Sequence, residues 1–300
     1  MQEIKIHEVG LRDGLQMESE LIPTIHKEQW IAELFESNVD IIQIGSFVHP
    51  KYVPQMADTD ELFEMFSSDD RKPDNVLLSG LVLNEKGMER GMKCGVEMFC
   101  IGVSASETHS MKNTKMSTSE AQERIIAMAK ETMSAGKLVQ ASVQSAFGCG
   151  FEGKIDEEKV LSIVKRYLEA GVRNISLADT AGMGNPAQVE RLFTAIKEID
   201  QDVTLACHFH NTYGMGLANV ITAMRCGVTY IESAFGGLGG CPFTKSPSGN
   251  VCTEDLVYML QEMGMREDVD MHKIIGVANY LSGFLMRDLP GYVYKLKSNK

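Results

Sequence analysis

Eight short runs rich in β-branched residues recur along the chain, and amphipathic stretches separate most of them. The runs are EIKIHEV, VDIIQIGSF, NVLLSGLVL, VEMFCIGVS, KLVQASVQSAF, NISLADT, DVTLACHFH and TYIESAFGG. The stretches between them, such as DEEKVLSIVKRYLEAG and NPAQVERLFTAIKEID, have helical spacing, and several end in glycine as helices often do. Strands that alternate with helices predict a parallel sheet, and eight units close a (β/α)8 TIM barrel.

An open, doubly wound α/β sheet is the alternative architecture. It predicts the fingerprint G-x-G-x-x-G after the first strand, which this chain lacks, so the barrel is favoured. Beyond Gly249, the segments NVCTEDLVYMLQEMG and DMHKIIGVANYLSGFL predict two further helices. No low-complexity linker precedes them. We therefore expect one catalytic domain over residues 1–300, with the barrel at about 3–250 and C-terminal helices at about 251–290.

Composition argues against several classes of partner. The formal net charge of −12 disfavours nucleic acid and anionic membranes, because phosphate recognition needs a clustered basic surface. The opening MQEIKIHEVG lacks the pattern of a signal or transit peptide, and no apolar run is long enough to span a bilayer. The seven cysteines are scattered and include no C-x-x-C pair, which is typical of reduced thiols. We expect a soluble, cytoplasmic protein.

Polar, glycine-rich motifs lie where four of the predicted strands end. They are GLRDGLQ at 10–16, LADTAGMGN at 177–185, CHFHNTYG at 207–214 and GGLGGCPFTKSPSGN at 236–250. In a TIM barrel the carboxyl ends of the strands and the loops that follow form the functional face. We therefore expect these four segments to meet at one end of the barrel.

The third of these motifs places His208 and His210 one residue apart on a predicted strand. Residues two apart in a strand point to the same face, so the two imidazoles should converge. With the carboxylate of Asp13 and the amide oxygen of Asn250 they form a set suited to a divalent cation, Mg2+ or Mn2+, with Zn2+ as a softer alternative. The competing interpretation is a hydrogen-bonded core pair of histidines and a turn aspartate.

Four further residues are candidates by position. Arg12 adjoins Asp13 and could stabilise a developing oxyanion, or simply form a salt bridge. Cys241 lies between Gly-Gly and Pro in a loop too rich in glycine for a packed core, and a thiol there could move a proton near neutral pH. Asp179 and Gln16 are candidates as well, although either side chain could cap a turn.

Seven segments together resemble one family of enzymes. They are VGLRDGLQ, SFVHPKYVPQM, ASETHSMKNTKMS, FEGKI, LADTAGMGNP, CHFHNTYGMGLAN and GGLGGCPFTKSPSGNVCTEDLVYML. They are similar to the 3-hydroxy-3-methylglutaryl-CoA lyases, within the divalent-metal barrel enzymes that include isopropylmalate and homocitrate synthases. The resemblance runs from about residue 3 to about residue 290. GGLGGCP followed by SGN points to the lyase branch.

The resemblance implies a retro-Claisen cleavage of a 3-hydroxy-3-substituted glutaryl thioester to acetyl-CoA and a 3-oxo acid such as acetoacetate. In that reaction the metal, held by Asp13, His208, His210 and Asn250, acidifies the tertiary hydroxyl of the substrate. Arg12 would stabilise the enolate oxygen, and Cys241 would protonate the enolate carbon. Asp179 would assist as a further catalytic residue.

Three positions depart from the lyase pattern, each by loss of an ionisable or hydroxyl group. Gln43 stands where the lyases carry glutamate, Asn211 where they carry aspartate and Phe151 where tyrosine is usual. An amide at position 43 cannot accept a proton and brings hydrogen-bond donors that a carboxylate lacks. These departures leave the acyl substrate open.

The segment QMESEL, residues 16–21, lacks a lysine that many of the lyases carry there. Recognition of the CoA phosphates would then need other cations, for example Lys112, Lys115 or Lys51, and Gln16 is a further candidate for contact with the acyl-CoA.

The sequence is compatible with three activities: a lyase for this or a related hydroxy-acyl substrate, a synthase that condenses acetyl-CoA with a 2-oxo acid, and a non-catalytic relative that binds metal. The retention of Arg12, Asp13 and Cys241 argues against the last. Barrels of this kind are commonly homo-oligomers, which we expect here too.

Overall fold

The computed structural model describes residues 3–67, 70–240 and 249–297. Eight parallel strands close into a barrel in chain order, and β1 pairs with both β2 and β8. The strands are β1 Lys5–Glu8, β2 Ile41–Ser46, β3 Leu77–Leu81, β4 Met98–Ser104, β5 Leu138–Gln144, β6 Asn174–Asp179, β7 Thr204–Phe209 and β8 Tyr230–Ser233. Each predicted run contains one of them, so the TIM barrel is confirmed.

Helices surround the barrel and continue beyond it. They are α1 Thr24–Phe35, α2 Thr59–Phe66, α3 Glu85–Cys94, α4 Glu107–Thr114, α5 Thr118–Ser134, α6 Glu157–Glu169, α7 Pro186–Ile199, α8 Gly216–Arg225, α9 Thr253–Glu262, α10 Met271–Phe284 and α11 Val293–Lys297. The two predicted C-terminal helices are α9 and α10. The helices α2, α4 and α11 were not predicted, because segments of eight residues or fewer carry little periodic signal.

Side-chain caps define where several helices begin. Ser117 and Glu120 form a reciprocal capping box at α5, and the side chain of Asn185 accepts a hydrogen bond from Gln188 N at α7. Pro186 occupies the first turn of α7, where its missing N–H has no intrahelical partner to lose. These local signals explain why the longer helices were readable from sequence.

Two apolar clusters divide the interior. The larger one fills the space between the barrel wall and the helices, with Trp30, Phe99 and Phe193 among its fully buried side chains. The smaller one, Ile41, Met98 and Cys100, lies inside the barrel, and two of its three residues begin strands. Ile41 and Met98 fill the amino-terminal side of the barrel interior, and Cys100 also borders the cavity at the carboxyl end, where polar side chains predominate. Within the described residues, no helix has the length and apolar character to cross a membrane.

Candidate metal centre and active site

The turn after β1 carries two of the predicted residues. Residues Gly10–Gly14 form a wide helical turn in which Val9 O accepts hydrogen bonds from Asp13 N at 2.7 Å and Gly14 N at 3.3 Å. A Cβ on Gly10 would lie 2.5 Å from the ring of Phe235, so only glycine fits there without a shift of that ring. The sequence GLRDG therefore fixes the backbone that aims Asp13 at the barrel mouth.

His208 and His210 converge as the strand periodicity predicts. Their Nε2 atoms lie 3.2 Å apart, at the carboxyl end of β7. Asp13 Oδ2 lies 3.8 Å from His208 Nε2 and 3.6 Å from His210 Nε2. One ligand atom from each of these three residues falls within 4.8 Å of the other two. Three donors of this kind can hold a divalent ion.

Asn250 joins the same cluster across the barrel mouth. Its backbone bridges to His210, and its Nδ2 donates hydrogen bonds to Asp13 Oδ2 at 2.8 Å and to Leu238 O at 2.9 Å. Its Oδ1 is buried, with no hydrogen-bond partner among the described residues. For Oδ1 to coordinate an ion beside Asp13, the side-chain amide would have to flip so that Oδ1 and Nδ2 exchange places.

Charge around the cluster is balanced by close pairs. Burial alone would raise the pKa of Asp13, but Arg12 and the two histidines together hold it well below its usual value. Burial would likewise lower the pKa of His208, but the hydrogen bond and charge of Glu232 outweigh it and raise that pKa. Asp13 is therefore ionised and available as a ligand at neutral pH.

Glu232 was not predicted as a site residue, yet it supports His208 directly. Its Oε2 accepts from His208 Nδ1 at 2.8 Å, and its Oε1 accepts from Ser176 Oγ at 2.7 Å. A carboxylate against the far nitrogen of a histidine fixes the tautomer and leaves Nε2 as the free donor atom. The available signal was an acidic residue between Ile231 and Ser233 in the short eighth strand, at a position that the barrel buries.

Arg12 is buried beside Asp13 and is held on two sides. Its Nη1 donates to Asp13 Oδ1, and its Nε donates to Gln43 Oε1. Gln43 therefore accepts a hydrogen bond from Arg12, as a carboxylate could, but it adds no negative charge to the site. The Nε2 of Gln43 is buried and unpartnered among the described residues.

A cavity of about 760 Å³ opens at this end of the barrel and contains the cluster. Gln16, Lys112 and Lys115 all line it. The ammonium of Lys112, on α4, lies 4.7 Å from the ring centroid of Phe151. These two lysines bring positive charge to the cavity wall, as the acyl-CoA prediction requires.

Two polar residues of the strand-end motifs hold loops. Asp179 is fully buried, and its two oxygens accept from Met183 N and Gly184 N, each at 2.9 Å. Asn211 Oδ1 accepts from Gly216 N at 2.9 Å, which an aspartate could also do. Asp179 does not appear among the described residues that line the cavity. Its position is that of a loop anchor close to the histidines.

Cys241 lies outside the described residues. The neighbouring Gly240 lines the cavity, so the described chain reaches the site immediately before this cysteine. The role of its thiol stays a prediction from sequence.

Sequence comparison relates the whole chain to one group of enzymes. A family model described as HMGL-like matches residues 3–281. A hydroxymethylglutaryl-CoA lyase of Bacillus subtilis is 37% identical over 289 residues, which cover 96% of this chain and 95% of that protein.

Solved structures agree. The crystal structure of the B. subtilis HMG-CoA lyase superposes with a TM-score of 0.94 at 35% identity, covering 100% of this chain and 99% of the other. An HMG-CoA lyase from Acinetobacter baumannii, in complex with coenzyme A and 3-methylmalate, gives a TM-score of 0.90 at 36% identity, covering 99% and 96%.

Proposed function

The chain belongs to the HMGL-like family, and from this premise we propose that it is a divalent-metal-dependent carbon–carbon lyase. It cleaves 3-hydroxy-3-methylglutaryl-CoA, or a closely related thioester, to acetyl-CoA and a 3-oxo acid such as acetoacetate. The relatives that are similar over nearly the full chain are lyases of this kind, and the A. baumannii structure holds coenzyme A. The fold and the cavity are compatible with the same reaction.

The observation that carries the proposal is the convergence of Asp13, His208 and His210 within 4.8 Å, beside a buried arginine. The donor set fits a divalent ion: one ionised carboxylate, and two imidazoles whose Nε2 atoms face each other. Asn250 lies against Asp13 through its Nδ2, and its unpartnered, buried Oδ1 would supply a further oxygen ligand once the amide flips. We assign these four residues as the metal ligands, with Mg2+ or Mn2+ as the expected ion and Zn2+ as the alternative.

When bound, the ion supplies Lewis acidity, which lowers the pKa of the substrate hydroxyl. Residues of the chain stabilise and protonate the enolate. Arg12 presents its guanidinium, oriented by Asp13 and Gln43, to the thioester oxygen and stabilises the negative charge that develops there as the carbon–carbon bond breaks. The tertiary hydroxyl loses its proton to water as the carbon–carbon bond breaks, and its oxygen becomes the ketone of the 3-oxo acid. Cys241 delivers a proton to the enolate carbon, which completes acetyl-CoA, and water returns a proton to the thiolate, so no net proton is consumed.

Other predicted residues act by binding or positioning. Lys112, Lys115 and Gln16 contact the coenzyme A part of the substrate from the cavity wall. Asp179 was predicted as a catalytic residue; because both its oxygens accept backbone amides, we propose that it positions the loop after β6. A fixed loop keeps the barrel mouth in the geometry that the two histidines require.

An acetyl-CoA release assay tests the function. Purified protein with Mg2+ or Mn2+ is given 3-hydroxy-3-methylglutaryl-CoA, with EDTA as the control, and we expect cleavage that depends on the metal. A protein that binds Mn2+ but releases no acetyl-CoA from any 3-hydroxy-3-substituted glutaryl-CoA would refute the lyase assignment. Condensation of acetyl-CoA with a 2-oxo acid, without cleavage, would identify a synthase instead.

Three variants separate the roles of metal and thiol. Asp13→Ala and His210→Ala should abolish turnover together with metal binding, because each removes one of three converging ligands. Cys241→Ala should slow turnover, by about 100-fold or more, and leave the metal content unchanged. The measurements are initial rates and elemental analysis of the same samples. Full activity in Cys241→Ala would remove the thiol from the mechanism.

We also propose that residues 1–300 form one catalytic domain, that the protein is cytoplasmic and that it assembles as a homo-oligomer. The six cysteines of the described residues are unpaired, which supports a reducing compartment. Light scattering on the purified protein tests the assembly state.

A further inference from the structure

The barrel interior contains a layer of polar side chains where TIM barrels commonly carry bulky branched residues. Strands β1 to β6 and β8 each contribute one buried residue to it. We call this set the polar layer: His7, Gln43, Ser79, Cys100, Gln140, Ser176 and Glu232. No single strand's pattern reveals the layer, because it forms only when the barrel closes.

Contacts around the ring show that these residues lie together. His7 Nε2 lies 2.7 Å from Ser79 Oγ, and Cys100 Sγ lies 3.6 Å from Gln140 Oε1. The strand register sets Gln43 beside Ser79 and Cys100 beside Gln140. The polar layer is therefore a continuous surface.

Three buried nitrogens of the polar layer have no hydrogen-bond partner among the described residues: His7 Nδ1, which does not line the cavity, and the two side-chain amides that do. Gln43 Nε2 and Gln140 Nε2 are buried, and neither finds an acceptor among the described residues. The thiol of Cys100, which lies between them, is only a weak acceptor. A buried donor without an acceptor is costly, so such a pair inside a binding cavity points to a ligand oxygen that accepts from it.

The cavity of the candidate active site extends into the polar layer. Gln43, Cys100, Gln140, Ser176 and Glu232 line the same cavity as the three converging metal ligands. Two direct hydrogen bonds join the layer to the metal cluster and its arginine, one from His208 to Glu232 and one from Arg12 to Gln43. The metal cluster and the two amides therefore face the same cavity.

The cavity, about 760 Å³ in volume, provides the room for a group that bears such an oxygen. Gly102 and Ser142, which pair across β4 and β5, also line it, two residues along their strands from Cys100 and Gln140, and the hydroxyl of Ser142 fills the place that a side chain on residue 102 would take. The two amides are neutral and Glu232 brings a negative charge, while the guanidinium of Arg12, held by Asp13 and Gln43, serves the thioester oxygen in the proposed reaction. The layer therefore favours a neutral group with an acceptor oxygen over a carboxylate or a purely apolar chain.

We propose that the substrate carries, on the carbon bearing the tertiary hydroxyl, a neutral oxygen-containing substituent larger than methyl, whose oxygen accepts hydrogen bonds from Gln43 and Gln140. This inference rests on the lyase function proposed above and names the substrate class within it. It makes Gln140 a residue that determines substrate specificity.

A matched pair of substrates tests the inference. The 3-methoxymethyl and 3-propyl analogues of 3-hydroxyglutaryl-CoA differ by one ether oxygen in place of a methylene, and the 3-methyl compound serves as the reference. We expect kcat/KM for the methoxymethyl compound to exceed that for the propyl compound by at least about 10-fold. A ratio below about 3-fold in the wild-type protein overturns the inference, whatever the variants do.

Gln140→Met keeps the length of the side chain and removes the amide, so it should reduce the methoxymethyl-to-propyl ratio by about 10-fold. Gln122→Met is the matched control, since Gln122 is also buried but its Nε2 is paired with Ile163 O and it does not line the cavity; its ratio should not change. An unchanged ratio in Gln140→Met would contradict the role of Gln140.

The outcomes distinguish this inference from the proposed function. Cleavage of the methyl compound alone overturns the inference and leaves the lyase function intact. Failure to cleave any of the three thioesters, in protein that binds metal, overturns both.

Discussion

Glu232 lies behind the candidate ligand His208 and sets the tautomer of its ring. Its hydrogen bond to His208 Nδ1 fixes that ring and adds electron density to Nε2, the nitrogen that faces Asp13. We expect Glu232→Gln to weaken Mn2+ binding by about 10- to 100-fold, because the amide keeps the shape and loses the charge. Equilibrium titration with Mn2+, followed by the paramagnetic signal of the free ion, measures this without relying on turnover.

The variant Ser176→Ala serves as the control for Glu232→Gln in the Mn2+ titration. It removes the hydrogen bond to the other oxygen of Glu232 and leaves the carboxylate against His208, so its effect on Mn2+ affinity should be the smaller of the two. Equal affinities in Glu232→Gln and the wild-type protein would show that the carboxylate does not tune the site.

At the scale of elements, two buried carboxylates hold the short turn Phe235–Gly237 that follows β8. Glu8 accepts from Gly10 N at 2.6 Å and Phe235 N at 3.1 Å, and Glu254 accepts from Gly236 N at 3.0 Å through both oxygens. Gly236 has a φ of 65°, which favours glycine. Burial raises the pKa of Glu8 to about 7 and that of Glu254 to about 8.

These raised pKa values predict stability that falls as pH rises. Both groups bind a proton more tightly in the folded chain than in the unfolded one, so their contribution is full below about pH 4.5 and is lost as pH rises through 7 to 8. For Glu8 the raised pKa corresponds to roughly 3 kcal/mol of folding free energy that is present at low pH and lost at high pH. Glu8→Gln, which cannot ionise, should flatten the decline of the urea midpoint between pH 5 and 8.5. Parallel pH profiles for the two proteins would contradict the assignment.

The elements also show which parts of the site could be predicted from sequence. His208 and His210 were readable because strand periodicity is local, and Asp13 because it lies in the loop directly after a predicted strand. Gln140 and Glu232 were not, since their significance depends on eight strands closing around a common axis. The orientation of the Asn250 amide, set by Asp13 and Leu238 O, depends on contacts that no spacing encodes.

For the whole molecule, metal binding should act as a cross-link of the barrel. The turn after β1 and the end of β7 flank β8, and an ion between Asp13 and His210 would join them. Mn2+ at 100 times its Kd should stabilise the folded chain by about 2.7 kcal/mol and raise Tm by a few degrees. Thermal unfolding with and without Mn2+ measures the shift, and Asp13→Ala should remove it. A shift that persists in this variant would place the ion elsewhere.

The hydrogen bond between Asp13 and Asn250 spans 237 residues of chain. During synthesis the ribosome therefore releases Arg12 and Asp13 long before the histidines and the asparagine that complete the cluster. At roughly 5 to 20 residues per second, that delay is on the order of 12 to 47 s. A nascent chain cannot assemble this centre until Asn250 has emerged, so catalysis cannot begin before that point of translation.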